Sequence, residues 1–187
     1  MDERLQRIYN SVLNGEMDDV AAQVEAALQA ELDPGAILNV SMASAMKEGL
    51  AVLKPHLVQA KVESAGKVVI GTVKGDLHDI GKNLVGMMLE GAAFEVVDLG
   101  VDVSPEKFVE AVCAHQPQIV GLSALLTTTM PGMRTTIDAL KSAGLRKQVK
   151  IIVGGAPVTE PFAKDIGADG YSPDAGRAVT LAQSLMA

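Results

Sequence analysis

Asp76 and His78 stand two residues apart in a short stretch, Lys74–Gly81, that reads KGDLHDIG. An imidazole can bind a transition metal through one ring nitrogen, or pass a proton near neutral pH. A carboxylate held on the other nitrogen fixes the tautomer and makes the first a better metal donor. Asp-x-His alone does not decide the matter, because a loop histidine is also an ordinary solvated side chain. Two further stretches carry residues that could bind a ligand. Ser123–Met130 reads SALLTTTM and holds four hydroxyls, on Ser123, Thr127, Thr128 and Thr129. Val153–Val158 reads VGGAPV. Its pair Gly154–Gly155 lets something flat approach the backbone closely, or else makes a tight strand-to-helix turn.

Each stretch follows an apolar, β-branched run. Lys67–Val73 (KVVIGTV) precedes the first, and Lys82–Gly91 (KNLVGMMLEG), apolar at helical spacing, follows it. From Lys67 onward such runs alternate with helical segments. The expected strands are Val68–Val73, Phe94–Leu99, Gln118–Ser123, Lys150–Val153 and Gly170–Tyr171. The expected helices are Gly81–Gly91, Pro105–His115, Met130–Ala143, Thr159–Ile166 and Asp174–Met186. This alternation predicts an α/β domain with a doubly wound parallel sheet and right-handed crossovers. In a chain this short the flavodoxin-like order 2-1-3-4-5 is expected, with the ligand crevice between strands 1 and 3 at their carboxyl ends. Residues 1–60 read as helices only: Asp2–Leu13, Glu16–Glu31, and Gly35–Leu53 opened by Asp33–Pro34 and closed by Lys54–Pro55. The expected domains are a small helical module over 1–60 and the α/β domain over 61–187, with His56–Gly66 as a polar linker.

Composition narrows the function. The chain has 187 residues, 48% of them hydrophobic and 21% charged, so it can build a packed core. Its net charge of −7 argues against nucleic acid or an anionic membrane as partner. No run of eighteen apolar residues occurs, and the charged start MDERLQRIYN has no signal-peptide core, so a cytoplasmic protein is expected. The single cysteine, Cys113, rules out an internal disulfide and reads as a small buried hydrophobe on a helix.

Common ligands of this fold leave signatures that are missing. No Gly-x-Gly-x-x-Gly follows the first strand and no phosphate-binding Gly-x-x-x-x-Gly-Lys-Ser/Thr occurs. A flavin phosphate would want a Ser/Thr/Gly-rich first loop where Asp and His stand. A phosphorylated receiver would want an acidic residue where Ser123 ends the third strand. Zinc would need three or four convergent ligands, and His56 and His115 have no such spacing to His78.

What remains resembles a known family. Asp76-Leu77-His78-Asp79-Ile80-Gly81 is similar to the Asp-x-His-x-x-Gly signature of cobalamin-binding domains. Ser123-Ala124-Leu125 matches that family's Ser-x-Leu, and Gly154–Gly155 its Gly-Gly, in the family's order and each at a strand's carboxyl end. The resemblance covers about residues 67–187 closely. The N-terminal helices resemble the corrinoid proteins of methyltransferase systems, which pair a helical module with this domain. Met42–Leu57 (MASAMKEGLAVLKPHL) is similar to the last helix of that module and its exit. One departure stands out. The family carries a further stretch between the Asp-Pro-started helix and that last helix, with an acidic and aromatic segment that helps cover the upper corrin face. Here about one helix and turn is missing.

The resemblance implies that His78 binds cobalt from below, in place of the cofactor's own benzimidazole, whose nucleotide tail would thread into the sheet. Asp76 would hold the far imidazole nitrogen, with the Thr129 hydroxyl behind it. Asp79, Ile80 and Gly81 would complete the cofactor-binding signature. Ser123, Leu125 and Thr127 would line the nucleotide tunnel, and Gly154 and Gly155 would give room for the tail. The implied cofactor is cobalamin, passing between methylcobalamin and a Co(I) corrinoid. A His–Asp–hydroxyl relay would couple proton uptake to release of the axial ligand. The implied function is a metal-binding methyl carrier, not catalytic alone, between a substrate-specific methyltransferase and a second, methyl-accepting methyltransferase. A reductive activase would be a further partner, and the shortened helical region is compatible with a homodimer. Two readings stay open beside it: a cobalamin store, chaperone or sensory module without methyl transfer, and the cobalamin half of an adenosylcobalamin mutase.

Overall fold

The computed structural model describes residues 2–14, 16–37, 41, 44, 45, 48 and 64–187. Most of the expected helix Gly35–Leu53, most of the stretch Met42–Leu57 and, except for its last residues, the linker His56–Gly66 lie outside the described residues. The chain divides into two compact units, Met1–Val62 and Glu63–Ala187.

In the first unit, α1 (Glu3–Asn14) and α2 (Met17–Gln29) follow from apolar residues spaced by one helical turn. Leu5 and Ile8 of α1, Ala27 of α2 and Ile37 are buried together, with Val12, Val24, Leu32 and Ala36 against them. The Asp33 carboxylate accepts the Ala36 N–H at 2.7 Å, and Pro34 opens the single turn α3 (Pro34–Ala36), as the Asp-Pro pair predicts. The Tyr9 hydroxyl donates to the Glu48 carboxylate.

The second unit carries β1 (Gly66–Thr72), α4 (Ile80–Gly91), β2 (Phe94–Asp98), α5 (Pro105–His115), β3 (Ile119–Ser123), α6 (Pro131–Ser142), β4 (Lys150–Gly154), α7 (Glu160–Ile166), β5 (Gly170–Tyr171) and α8 (Ala175–Met186). The five strands are all parallel in the order β2-β1-β3-β4-β5, the doubly wound order expected. Alternation along β1 and on to Val73, just past its end, serves two cores. Val69 and Val73 join Phe108, Met133, Ile137 and Leu140 on one face. Val68 joins Leu89, Phe94, Ile119, Ile152 and Ala182 on the other. Helices cover both faces, α5 with α6 on one and α4 with α8 on the other, which is why the strands read as continuous apolar runs.

The helix starts match residues that can cap them. Ser104, Thr159 and Asp174 each accept a backbone N–H of the first turn with the side chain. Cys113 corrects one expectation. It is exposed, because α5 buries the stripe Phe108, Ala111 and Val112, and the next residue turns about 100° away from it. Among the described residues no helix is long and apolar enough to cross a membrane.

Register positions the site. Thr72 lies beside Ser123, and Ser123 beside Gly154, so β1, β3 and β4 end in line. The three loops singled out in the sequence therefore leave the sheet side by side. A fourth joins them: Val73 bridges Val103, in the loop after β2.

Candidate functional site

The loop after β1 turns at Gly75, whose φ of +82° suits glycine. It then buries Asp76 completely. Every oxygen of that carboxylate is occupied. Oδ1 accepts the His78 backbone N–H at 3.1 Å and lies 2.7 Å from the ring nitrogen Nδ1 of the same residue. Oδ2 accepts the Thr129 hydroxyl at 2.6 Å, the Leu125 N–H at 2.7 Å and the Leu126 N–H at 3.4 Å. Burial on its own raises the carboxyl pKa. The hydrogen bonds from Thr129, His78 and Leu125 outweigh it and hold the carboxyl far below the usual carboxylate range. Asp76 is thus an anion, so Nδ1 carries the proton. In the neutral ring Nε2 is then left with its lone pair free. The His78 carbonyl is tied down by the buried Thr72 hydroxyl at 2.8 Å, while its side chain is 51% exposed.

Beside this imidazole opens a cavity of about 680 Å3. Ile70, Gly121, Leu122 and Ile152 form its sheet wall, with Val85 of α4 and Ala178 of α8. His78, Asp79, Ile80 and Gly81 line it from the first loop, Ser123 and Leu125 from the second, and Gly154 and Gly155 from the third. Asp76 and Thr129 sit behind the wall, reaching it through His78. Thr127 is exposed and stands outside the wall. At Gly81 an added Cβ would meet no atom within 4 Å.

Other residues of the site carry no motif. Lys82, buried in the first turn of α4, donates to Asp98 Oδ2 and Asn83 Oδ1, both at 2.6 Å. Asn83 in turn donates to Asp79 Oδ2 at 3.0 Å. Ser172, Pro173 and Asp174, leading into α8, close the far wall. They follow β5, and the loop rule for parallel sheets points to them, but a two-residue strand is a faint marker. Among the described residues no group of three or more His, Cys, Asp or Glu side chains could hold a metal ion. His115 ends α5, and His56 lies outside the described residues. A metal at His78 would take its other donors from a ligand.

Comparison with known proteins identifies the family. Residues 66–180 match the family model described as B12 binding domain. The dimethylamine corrinoid protein 1 of Methanosarcina acetivorans is 40% identical over 211 positions, covering all of this chain and 99% of that protein. Since this chain has 187 residues, 24 of those positions have no counterpart in it. Among solved structures, a cobalamin-binding protein from Desulfitobacterium hafniense is 33% identical with a TM-score of 0.66, covering 97% of this chain and 98% of that one. The methanol:cobalamin methyltransferase complex of Methanosarcina barkeri contains a chain 27% identical with a TM-score of 0.65, covering 99% and 80% respectively. By family model, by full-length relatives and by fold, the chain belongs to the B12-binding-domain family, among the corrinoid proteins of methyltransferase systems.

Proposed function

We propose that this chain binds cobalamin with His78 as the protein ligand to cobalt and carries a methyl group between two partner methyltransferases. The observation that supports it most is the His78 imidazole, half-exposed at the mouth of a 680 Å3 cavity with Nδ1 engaged by buried Asp76. The site fits the cofactor. A cavity of this size lies within the ~300–1,000 Å3 range of small-molecule sites. Its walls are mostly aliphatic, Gly81 leaves open space there, and Leu77, Ile80 and Leu125 offer exposed apolar surface along it. When bound, cobalamin would supply a cobalt centre able to accept and release a methyl group.

The chain's own residues position and tune. His78 Nε2 is the donor to the metal. Asp76 holds the proton on Nδ1, which raises the basicity of the donor atom, and Thr129 fixes Asp76. Asp79, Ile80, Ser123, Leu125, Gly154 and Gly155 shape the wall for the nucleotide tail, and Thr127, outside that wall, has no part in it. The cofactor domain is assigned to 61–187, and the described helices α1 to α3 belong to the module assigned to 1–60. Methyl donor and acceptor would be activated by the partner methyltransferases, with a reductive activase as a further partner and a homodimer or a partner protein shielding the cofactor. Dimethylamine, named in the relatives, is the first donor to test.

The test is turnover. Reduced, cobalamin-loaded protein mixed with a methylamine and its methyltransferase is expected to gain the absorbance of methylcobalamin, and to lose it when a methyl-accepting methyltransferase is added. Stable binding without methylation by any such partner would support storage or sensing instead. Replacing His78 with alanine is expected to change the visible spectrum of the bound cofactor and weaken its retention; a spectrum identical to wild type in both oxidation states would contradict the ligand assignment.

Gly81→Val separates fold from cofactor. The added Cβ meets no heavy atom within 4 Å, so the cofactor-free protein is expected to unfold within about 1 kcal/mol of wild type. The same side chain occupies the mouth of the cavity, so cobalamin affinity is expected to fall at least about tenfold. Unchanged affinity would place the cofactor elsewhere.

A further inference from the structure

The loop after β2 carries none of the motifs, yet it grips the histidine loop from the side. Asp102 makes the grip. Its Oδ1 accepts the Gly75 N–H at 2.8 Å, and its carboxylate pairs with the Lys74 ammonium at 3.1 Å. Its own N–H donates to the Asp76 carbonyl at 2.9 Å. Three consecutive residues of the first loop, Lys74, Gly75 and Asp76, are thus held by one residue of the next. Around them the loop is laced to the end of β1: the Thr72 N–H donates to the Gly100 carbonyl and the Val103 N–H to the Thr72 carbonyl, at 3.0 and 2.9 Å. Asp102 adopts a φ of +52°, a conformation that aspartate and asparagine tolerate better than most residues. Its carboxyl is held below the usual range, chiefly by the Gly75 N–H and then by Lys74.

We propose that Asp102 is a positioning residue for the cobalt ligand: by clamping Lys74–Asp76 it sets where the Asp76 carboxylate stands, and so where His78 presents Nε2. Asp102 touches neither His78 nor the cavity wall and acts only through the turn. The clamp explains how a half-exposed imidazole on a glycine-bearing turn can keep one orientation. Asp76 orients the ring, Thr129 and Leu125 hold Asp76 from the β3 side, and Asp102 holds the same residue's backbone from the β2 side. This role rests on His78 being the axial ligand.

The experiment compares Asp102→Gly, which keeps the positive φ but loses both side-chain contacts, with Asp102→Asn, which keeps an acceptor for the Gly75 N–H. Should the glycine variant not fold, Asp102→Ser takes its place, its hydroxyl being too short to reach Gly75. In the cofactor-free full chain, amide hydrogen exchange at His78 is expected to quicken about tenfold in Asp102→Gly and to stay near wild type in Asp102→Asn, as loss and retention of the acceptor for the Gly75 N–H dictate. In the cob(II)alamin-loaded chain, electron paramagnetic resonance is expected to show a smaller fraction of cobalt bearing a protein nitrogen in Asp102→Gly and restoration in Asp102→Asn. Wild-type exchange and wild-type nitrogen occupancy in Asp102→Gly, even with a lowered melting temperature, would reduce Asp102 to a structural residue and overturn the proposal. Absence of any protein nitrogen on cobalt in the unsubstituted chain would instead overturn the axial-ligand reading, and the exchange data on cofactor-free protein would still judge the clamp.

Discussion

Asp76→Ala is expected to lower the unfolding free energy of the cofactor-free protein by about 3–5 kcal/mol, measured by denaturant titration. The substitution removes the acceptor of five hydrogen bonds at a site with no solvent access. Thr129 keeps a second partner, the Leu126 carbonyl at 2.9 Å, so its hydroxyl is not orphaned. The Leu125 N–H has no such alternative among the hydrogen bonds of the described residues, and the His78 ring loses the group that orients it. Asp76→Asn keeps one acceptor oxygen but turns an amide donor toward other donors, and is expected to cost about half as much. The pH dependence has a definite direction. The folded-state pKa of Asp76 is depressed, so its stabilising contribution is fully present above about pH 4, the unfolded carboxylate value, and is lost as pH falls below it. Asp76→Ala should therefore show a shallower loss of stability on acidification than wild type. A cost below about 1 kcal/mol with an unchanged acid limb would mean that the carboxylate is not held as described.

Gly155→Ala is expected to be worse tolerated than any other single-methyl addition at the site, with a loss of about 3 kcal/mol or more and loss of cobalamin binding. An alanine Cβ at 155 would lie 1.8 Å from the Ala124 carbonyl oxygen and 2.8 Å from its carbon, and φ there is +133°. The clashing atoms are backbone, in a residue that is itself fully buried, so no rotamer relieves the overlap. The loop after β4 would have to part from the loop after β3. Gly154→Ala gives the contrast: its Cβ would come 3.1 Å from the Ser172 carbonyl, a shift of a few tenths of an ångström relieves that, and about 1 kcal/mol is expected. Thermal unfolding of the two variants checks the order; equal melting points would refute it.

The glycine pair shows how far sequence reasoning reached and where it stopped. Gly154–Gly155 marks the end of β4 and the wall of the cavity, as its position after an apolar run suggests. The reason Gly155 must be glycine is nevertheless the carbonyl of Ala124, thirty-one residues earlier, which no local pattern reveals. The pairing of Asp76 with His78 was legible, because a two-residue separation brings the groups together within one loop. The Thr129 hydroxyl on Asp76 spans 53 residues and depends on β1 and β3 being neighbours, so it followed from the strand order and the family resemblance, not from spacing. Asp102 and Lys82 left no trace. Asp102 holds groups of the loop after β1, and Lys82 holds Asp98 at the end of β2, and such contacts are set by a tertiary geometry that composition does not encode. Cys113 failed for a simpler reason: one position along a helix is enough to cross from the buried to the exposed side.

The most direct test of the account is the identity of the nitrogen on cobalt. Protein carrying 15N only in histidine, loaded with cob(II)alamin, should show axial superhyperfine structure in its electron paramagnetic resonance spectrum that changes from triplets to doublets relative to unlabelled protein, and the change should vanish in His78→Ala. Triplets that persist after labelling, or a spectrum with no axial nitrogen at all, would contradict the placement of the His78 imidazole on the metal.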